Sequence, residues 1–179
     1  MITEKEIQER MAAYLGRFFR VQLEVWDNTH KHRIDAVLIH KTDNEGKYPI
    51  GVELKRNGKK KGAEIASWLV QGAEYSQAEF TDYGKLCVCI YPQISGVYFE
   101  EGRDMTKHDV WAGTNSTGSK GLAYHHNCNG FLKGAFNVGE LQEYRTDQKR
   151  YYRLVFNTRL LWDEQTDYFN FTNHPGWEE

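Results

Sequence analysis

Arg33-Ile-Asp-Ala-Val-Leu-Ile-His40, a polar turn from Lys41 to Tyr48, and Ile50-Gly-Val-Glu-Leu-Lys55 together decide how this chain is built. The first stretch is mostly apolar and reads as a strand. In the second, Ile50, Val52 and Leu54 share one face of a strand, while Gly51, Glu53 and Lys55 share the other. Each strand carries a carboxylate that an apolar strand would not choose, Asp35 in one and Glu53 in the other. A buried carboxylate is costly unless something neutralises it. Working outward, Arg20 to Trp26 (RVQLEVW) alternates polar and apolar as a half-buried strand does. Before it, Ile7, Met11, Leu15 and Phe18 recur at helix spacing, with Thr3 as cap and Glu4 and Glu6 at the positive end of the dipole. On the far side, Gly62 to Phe80 reads as a helix with Ile65, Trp68, Leu69 and Gly72 near one side. Lys85 to Tyr91 (KLCVCIY) reads as a strand stopped by Pro92. The order helix, three strands, helix, strand indicates an α/β sandwich.

The chain has 179 residues, 40% of them hydrophobic, 27% charged and 14% aromatic, which is globular composition and fits one domain. The legible core covers about residues 2–92, and 93–179 form an extension. Three cysteines (Cys87, Cys89, Cys128) are too few for a disulfide framework and favour a reducing compartment. The N-terminus is charged where a signal peptide is apolar, and no apolar run reaches membrane-spanning length. The expectation is a soluble cytoplasmic protein with no membrane partner; homo-oligomerisation is left open. The formal charge of −2 gives no bulk reason for a nucleic-acid partner. Locally the balance differs: Lys55-Arg56-Asn57-Gly58-Lys59-Lys60-Lys61 concentrates five cations, whereas beyond Arg159 the tail holds five acids and no Lys or Arg. A solvated loop is the ordinary reading of such a run. Directly after the strand that carries Glu53 and Lys55, Lys59, Lys60 and Lys61 read as a group that neutralises nucleic-acid phosphates.

Two carboxylates and a lysine converging on one sheet face suit a hard divalent cation, because Mg²⁺ takes one or two carboxylates and keeps several waters. The competing reading leaves Glu53 and Lys55 exposed on the sheet and pairs Asp35 with Arg33. The flanking helices and the 18-residue separation on two predicted strands favour the metal reading. Gln71 and Tyr75, four apart on the second helix, lie on one face about a turn from each other.

Asp35 followed by Glu53-Leu54-Lys55 resembles the PD-(D/E)XK nuclease superfamily, whose core runs helix, three-stranded meander, helix, strand. Ile34 stands where the name-giving proline would be. Gln71-Gly-Ala-Glu-Tyr75 resembles the Q-x-x-x-Y motif of the RecB and lambda-exonuclease type members. The resemblance implies a restriction-endonuclease-like α/β core with a β-rich C-terminal extension. It also implies a Mg²⁺-dependent DNA nuclease in which Mn²⁺ substitutes. Asp35, Glu53 and the Leu54 carbonyl would hold the metal, with an acid from the first helix; of Glu4, Glu6 and Glu9, Glu4 extends the buried stripe. Lys55 would assist the attacking water, with Gln71 and Tyr75 supporting the phosphate. The Q-x-x-x-Y match tilts the activity toward an exonuclease acting at DNA ends in recombination, repair or phage DNA metabolism. A structure-specific endonuclease or Holliday-junction resolvase is the alternative, and an inactive nucleic-acid-binding protein is the alternative of another class.

Beyond Pro92 the signals thin. Gly113 to Gly121 reads as a loop, and Leu122–Val138 and Tyr151–Leu161 read as strands that extend or flank the sheet. His125, His126 and Cys128 could form a zinc site with Cys87 and Cys89, but their spacing favours buried thiols. Three cysteines cannot build the four-cysteine iron–sulfur cluster of some RecB-type nucleases. No phosphate-binding loop of the G-x-x-x-x-G-K-[ST] kind occurs.

Overall fold

The computed structural model describes residues 3–56, 62–91, 138–145, 149–156 and 159–176, with the side chains of 62–66 and 145 left aside. Helix α1 (Glu4–Leu15) starts at Thr3, whose hydroxyl accepts from the Glu6 amide while the Glu6 carboxylate accepts from the Thr3 amide at 2.7 Å. Such a reciprocal cap contributes about 1 kcal/mol. The helix buries Gln8, Met11 and Leu15. It leads into an antiparallel meander of β1 (Phe19–Trp26), β2 (Arg33–His40) and β3 (Ile50–Leu54). Asp43 shapes the β2–β3 turn, accepting from the amides of Lys47 and Tyr48.

Helix α2 (Gly62–Gln77) crosses to a short hairpin, β4 (Glu79–Phe80) and β5 (Gly84–Lys85), and then to β6 (Cys87–Tyr91), which lies parallel to β3. The helix ends three residues earlier than its sequence pattern suggests. Phe80 is drawn instead into a bridge with Asp27 and packs against Tyr75, where it is buried. The expected strand from Lys85 is likewise divided, Lys85 pairing with Glu79 and only Cys87–Tyr91 joining the main sheet.

Four more strands continue the same sheet: β7 (Val138–Arg145), β8 (Arg150–Phe156), β9 (Arg159–Asp163) and β10 (Tyr168–Phe169), followed by one 3₁₀ turn (Phe171–Asn173). The order is β1-β2-β3-β6-β7-β8-β9-β10, antiparallel except where β6 lies parallel to β3 and to β7. The fold is therefore mixed α/β, with two helices and a large, mostly antiparallel sheet among the described residues. The stretch from Tyr151 to Leu161 is two antiparallel strands rather than one, with Phe156 opposite Arg159. Of the expected strand at 122–138, only Val138 lies within the described residues.

The central strands β3 and β6 are buried on both faces, as parallel strands generally are. On one face Met11 and Leu15 of α1 pack with Leu38, Ile50, Val52, Cys89 and Trp162. On the other, Tyr75 of α2 packs with Val25, Ile34, Val37 and Val88. The C-terminal segment returns to the first strands. Glu164 accepts from the Tyr14 hydroxyl and from the Tyr152 amide, Asp167 lies 3.0 Å from His40 Nε2, and His174 Nε2 lies 3.1 Å from Cys87 Sγ.

Gly139 on β7 has no room for a side chain: a Cβ there would sit 2.6 Å from the Phe156 ring and 2.6 Å from the Val155 carbonyl oxygen. Backbone cannot yield as a side chain can, so Gly139→Ala is expected to lower unfolding free energy by about 1–3 kcal/mol in urea titration. Among the described residues no helix is long and apolar enough to cross a membrane.

Candidate functional site

The β2–β3 ladder pairs Leu38 with Ile50, Val37 with Gly51 and Ala36 with Val52. Beyond it, a side chain replaces the backbone acceptor: Asp35 Oδ2 accepts from the Leu54 amide at 2.7 Å. Its other oxygen accepts from Gln8 Nε2 on α1. The carboxylate is thus pinned between a strand and a helix. Burial pushes its pKa up, against the pull of the Leu54 amide and the Lys55 charge.

Glu53 is 4% exposed. Its Oε1 accepts from Lys55 Nζ at 2.6 Å. Its Oε2 is buried and has no hydrogen-bond partner among the described residues. Burial, reinforced by the Asp35 charge and only partly opposed by Lys55, pushes its pKa up to about 7. The surface alternative does not occur, since Arg33 lies 3.4 Å from Glu24 instead of pairing with Asp35.

Helix α2 closes the site from the opposite side. Gln71 Nε2 donates to the Tyr75 hydroxyl at 2.6 Å. Tyr75 is buried, and its phenol is pushed up to about 12 by burial first and by the charges of Glu53 and Asp35. Both carboxylates therefore lie within electrostatic range of this tyrosine. Asp35, Glu53 and Lys55 adjoin at the ends of β2 and β3, whereas Gln71 and Tyr75 are tied to them only through the charges that Tyr75 feels from Glu53 and Asp35.

Glu4 stands apart. It is exposed at the start of α1, one turn from Gln8, and its charge contributes to the raised pKa of Asp35. The described residues contain no cluster of three or more His, Cys, Asp or Glu side chains arranged to hold a metal. What they do contain is a pair of carboxylates and one open, buried oxygen. That set fits a hydrated magnesium ion, which needs no more than one or two protein carboxylates. An orphaned anionic oxygen in a dry site is the feature a cation would satisfy.

Gln8 escaped sequence reading, although a polar residue one helical turn from both Glu4 and Met11 was the available signal. Asp27 and His32 lie in a polar stretch between two strands and carry no motif signal in the sequence. Lys59, Lys60 and Lys61 lie outside the described residues, as do His125, His126 and Cys128. Cys87 and Cys89 are buried in β6. No protein-family model, curated protein or solved structure matches this chain.

Tyr75→Phe isolates the hydroxyl. The ring keeps its packing against Phe80 and His32, so stability should change by less than about 1 kcal/mol.

Proposed function

We propose that the chain is a magnesium-dependent DNA nuclease with a restriction-endonuclease-like core. The observation that carries this reading is the buried Glu53 Oε2 beside Asp35 and Lys55, without a hydrogen-bond partner among the described residues. A protein has little reason to keep two carboxylates and an ammonium in a largely dry pocket unless the cost is recovered on binding.

In this reading Asp35, Glu53 and the Leu54 carbonyl would hold the ion, and Glu4 would supplement them as a metal or water ligand. The bound ion supplies positive charge to a phosphoryl oxygen and acidifies water. The Leu54 amide and Gln8 keep Asp35 from rotating out of place. Glu53 fixes Lys55 Nζ, which orients a water for attack in line with the leaving oxygen and offsets charge building on the phosphoryl group. Gln71 and the Tyr75 hydroxyl hold the scissile phosphate from the helix side. Water adds to phosphorus, the bond to the bridging oxygen breaks, and the products are a phosphomonoester and a hydroxyl. The resemblance of Gln71 and Tyr75 to the Q-x-x-x-Y motif supports the narrower reading, an exonuclease working from DNA ends.

The test is cleavage of end-labelled linear duplex, single strands and closed circles in Mg²⁺ or Mn²⁺, with EDTA as control. Loss of linear DNA alone is the expected result. Cutting of circles would keep the metal site and replace the exonuclease reading with an endonuclease one. Intact substrates throughout, branched DNA and RNA included, would overturn the enzyme reading.

A further inference from the structure

Between β1 and β2 the chain makes a loop, Asp27 to His32, organised around one buried side chain. Asp27 Oδ1 accepts from the amides of Lys31 at 2.8 Å and His32 at 3.1 Å, and Oδ2 accepts from the Thr29 hydroxyl at 2.7 Å. The same Oδ2 lies 3.1 Å from His32 Nδ1. Burial raises the Asp27 pKa, but these hydrogen bonds outweigh it and hold the carboxyl well below its ordinary range. An ionised Asp27 makes Nδ1 the donor and fixes the plane of the imidazole.

Capping the loop requires only the two amides and the hydroxyl. The bond to Nδ1 orients a ring that the loop leaves about one-third exposed, with a side-chain relative accessibility of 32%. One edge of that ring meets Tyr75 at 5.7 Å between centroids. Its Nε2 has no hydrogen-bond partner among the described residues. The ring also lines an open groove of about 970 Å³ between this loop and α2, walled by Lys31, Glu74, Gln77, Glu79 and Lys85 among others. His32 thus connects the Gln71–Tyr75 pair to a groove that the site described above does not use.

We propose that this groove is the subsite for the nucleic-acid strand flanking the scissile phosphate. In it His32 Nε2, oriented by Asp27, donates to a phosphate oxygen of that strand. The histidine binds as an imidazolium with both nitrogens donating, one to the Asp27 carboxylate and one to the phosphate. Lys31 and Lys85 offset Glu74 and Glu79 on the walls, and the two glutamates repel the backbone and so restrict its path to the His32 side. The inference rests on the nuclease reading for the identity of its ligand, a polynucleotide strand. Asp27 is a positioning residue in this scheme and touches no substrate.

The experiment is a protein–substrate cycle on the full chain. Binding of labelled oligodeoxynucleotides is followed by anisotropy in Ca²⁺. The phosphates are replaced one at a time by neutral methylphosphonates, and the wild type is compared with His32→Ala and His32→Gln. At one flanking position the methylphosphonate should weaken wild-type binding about tenfold, or about 1.4 kcal/mol, as expected for a charge-assisted hydrogen bond. His32→Ala should weaken binding of the unmodified strand by a similar factor and be indifferent to that one substitution. His32→Gln, which keeps a donor, should recover part of the loss. Multiplying, independent effects at every position would show that His32 acts only on folding, and would overturn the inference. So would a His32→Ala variant that binds like the wild type, or a wild type that binds no DNA. The nuclease reading fails separately: a wild type that cleaves nothing in Mg²⁺ while the cycle shows coupling loses the enzyme and keeps the strand subsite.

Discussion

Lys55→Ala should reduce DNA cleavage about 10³-fold while DNA binding falls by less than about tenfold. The asymmetry follows from where the ammonium sits. Lys55 Nζ is held 2.6 Å from Glu53 Oε1 in a mostly buried pair, so it is a placed point charge rather than a mobile surface cation. Removing one preorganised charge at a reacting phosphoryl group typically costs two to three orders of magnitude in rate. Binding draws on many phosphate contacts and loses only one. The fold should survive, because Glu53, already inclined to take up a proton, does so when its counter-charge goes. Lys55→Arg should not restore the rate: a planar guanidinium cannot occupy the position of a compact ammonium beside a buried carboxylate. Rates on linear duplex with anisotropy in parallel decide the matter. Equal loss of binding and cleavage would make Lys55 a DNA anchor, and unchanged cleavage would remove it from the mechanism.

The second large effect concerns stability, with a sign opposite to that of most buried mutations. Glu53 has a folded-state pKa of about 7 against 4.5 for the free group. Below pH 4.5 the carboxyl is protonated in both states and contributes no pH dependence. Between pH 4.5 and 7 the unfolded chain releases its proton first, so unfolding free energy falls as pH rises, by about 3 kcal/mol in all. Above pH 7 that penalty persists. Asp35, whose pKa is also raised, adds a change of the same sign. Glu53→Gln abolishes the ionisation. In metal-free buffer at pH 8 the variant should therefore be more stable than the wild type by on the order of 2 kcal/mol, after allowance for the partner lost by Lys55. Added Mg²⁺ or Mn²⁺ should raise the wild-type melting temperature and leave the variant unmoved, since a ligand stabilises only the state that binds it. Urea melts from pH 4.5 to 8, with and without metal, measure both. A variant less stable than the wild type at pH 8 would mean that Glu53 is a structural ion pair.

The meander and the two helices were legible because their signals are local. The boundaries of β2 coincide with Arg33 and His40, and β3 stops one residue short of Lys55, where the alternation ends. Carboxylates inside apolar strands marked the site for the same reason: they contradict their surroundings. What escaped depends on distant partners. Phe80 continues the helical pattern, yet Asp27, 53 positions away in the chain, claims it as a bridge. Gln8 looks like a surface residue until Asp35 arrives beneath it. Asp27 and His32 have the composition of any polar turn, and only the packing of α2 against that turn gives them a groove to face. The split of Tyr151–Leu161 into β8 and β9 was hidden because both halves are strand-like.

The C-terminal tie has a kinetic consequence. Tyr14 meets Glu164 across 150 positions, and His40 meets Asp167 across 127. Cys87 meets His174 across 87. Loops of this length must close before such contacts repay their entropy, which places the protein among slow folders. On the ribosome, β1 to β3 emerge long before the residues that cover Phe18, Phe19 and His40. The nascent chain therefore carries an open apolar flank for most of its synthesis, a state prone to aggregation and suited to chaperone capture.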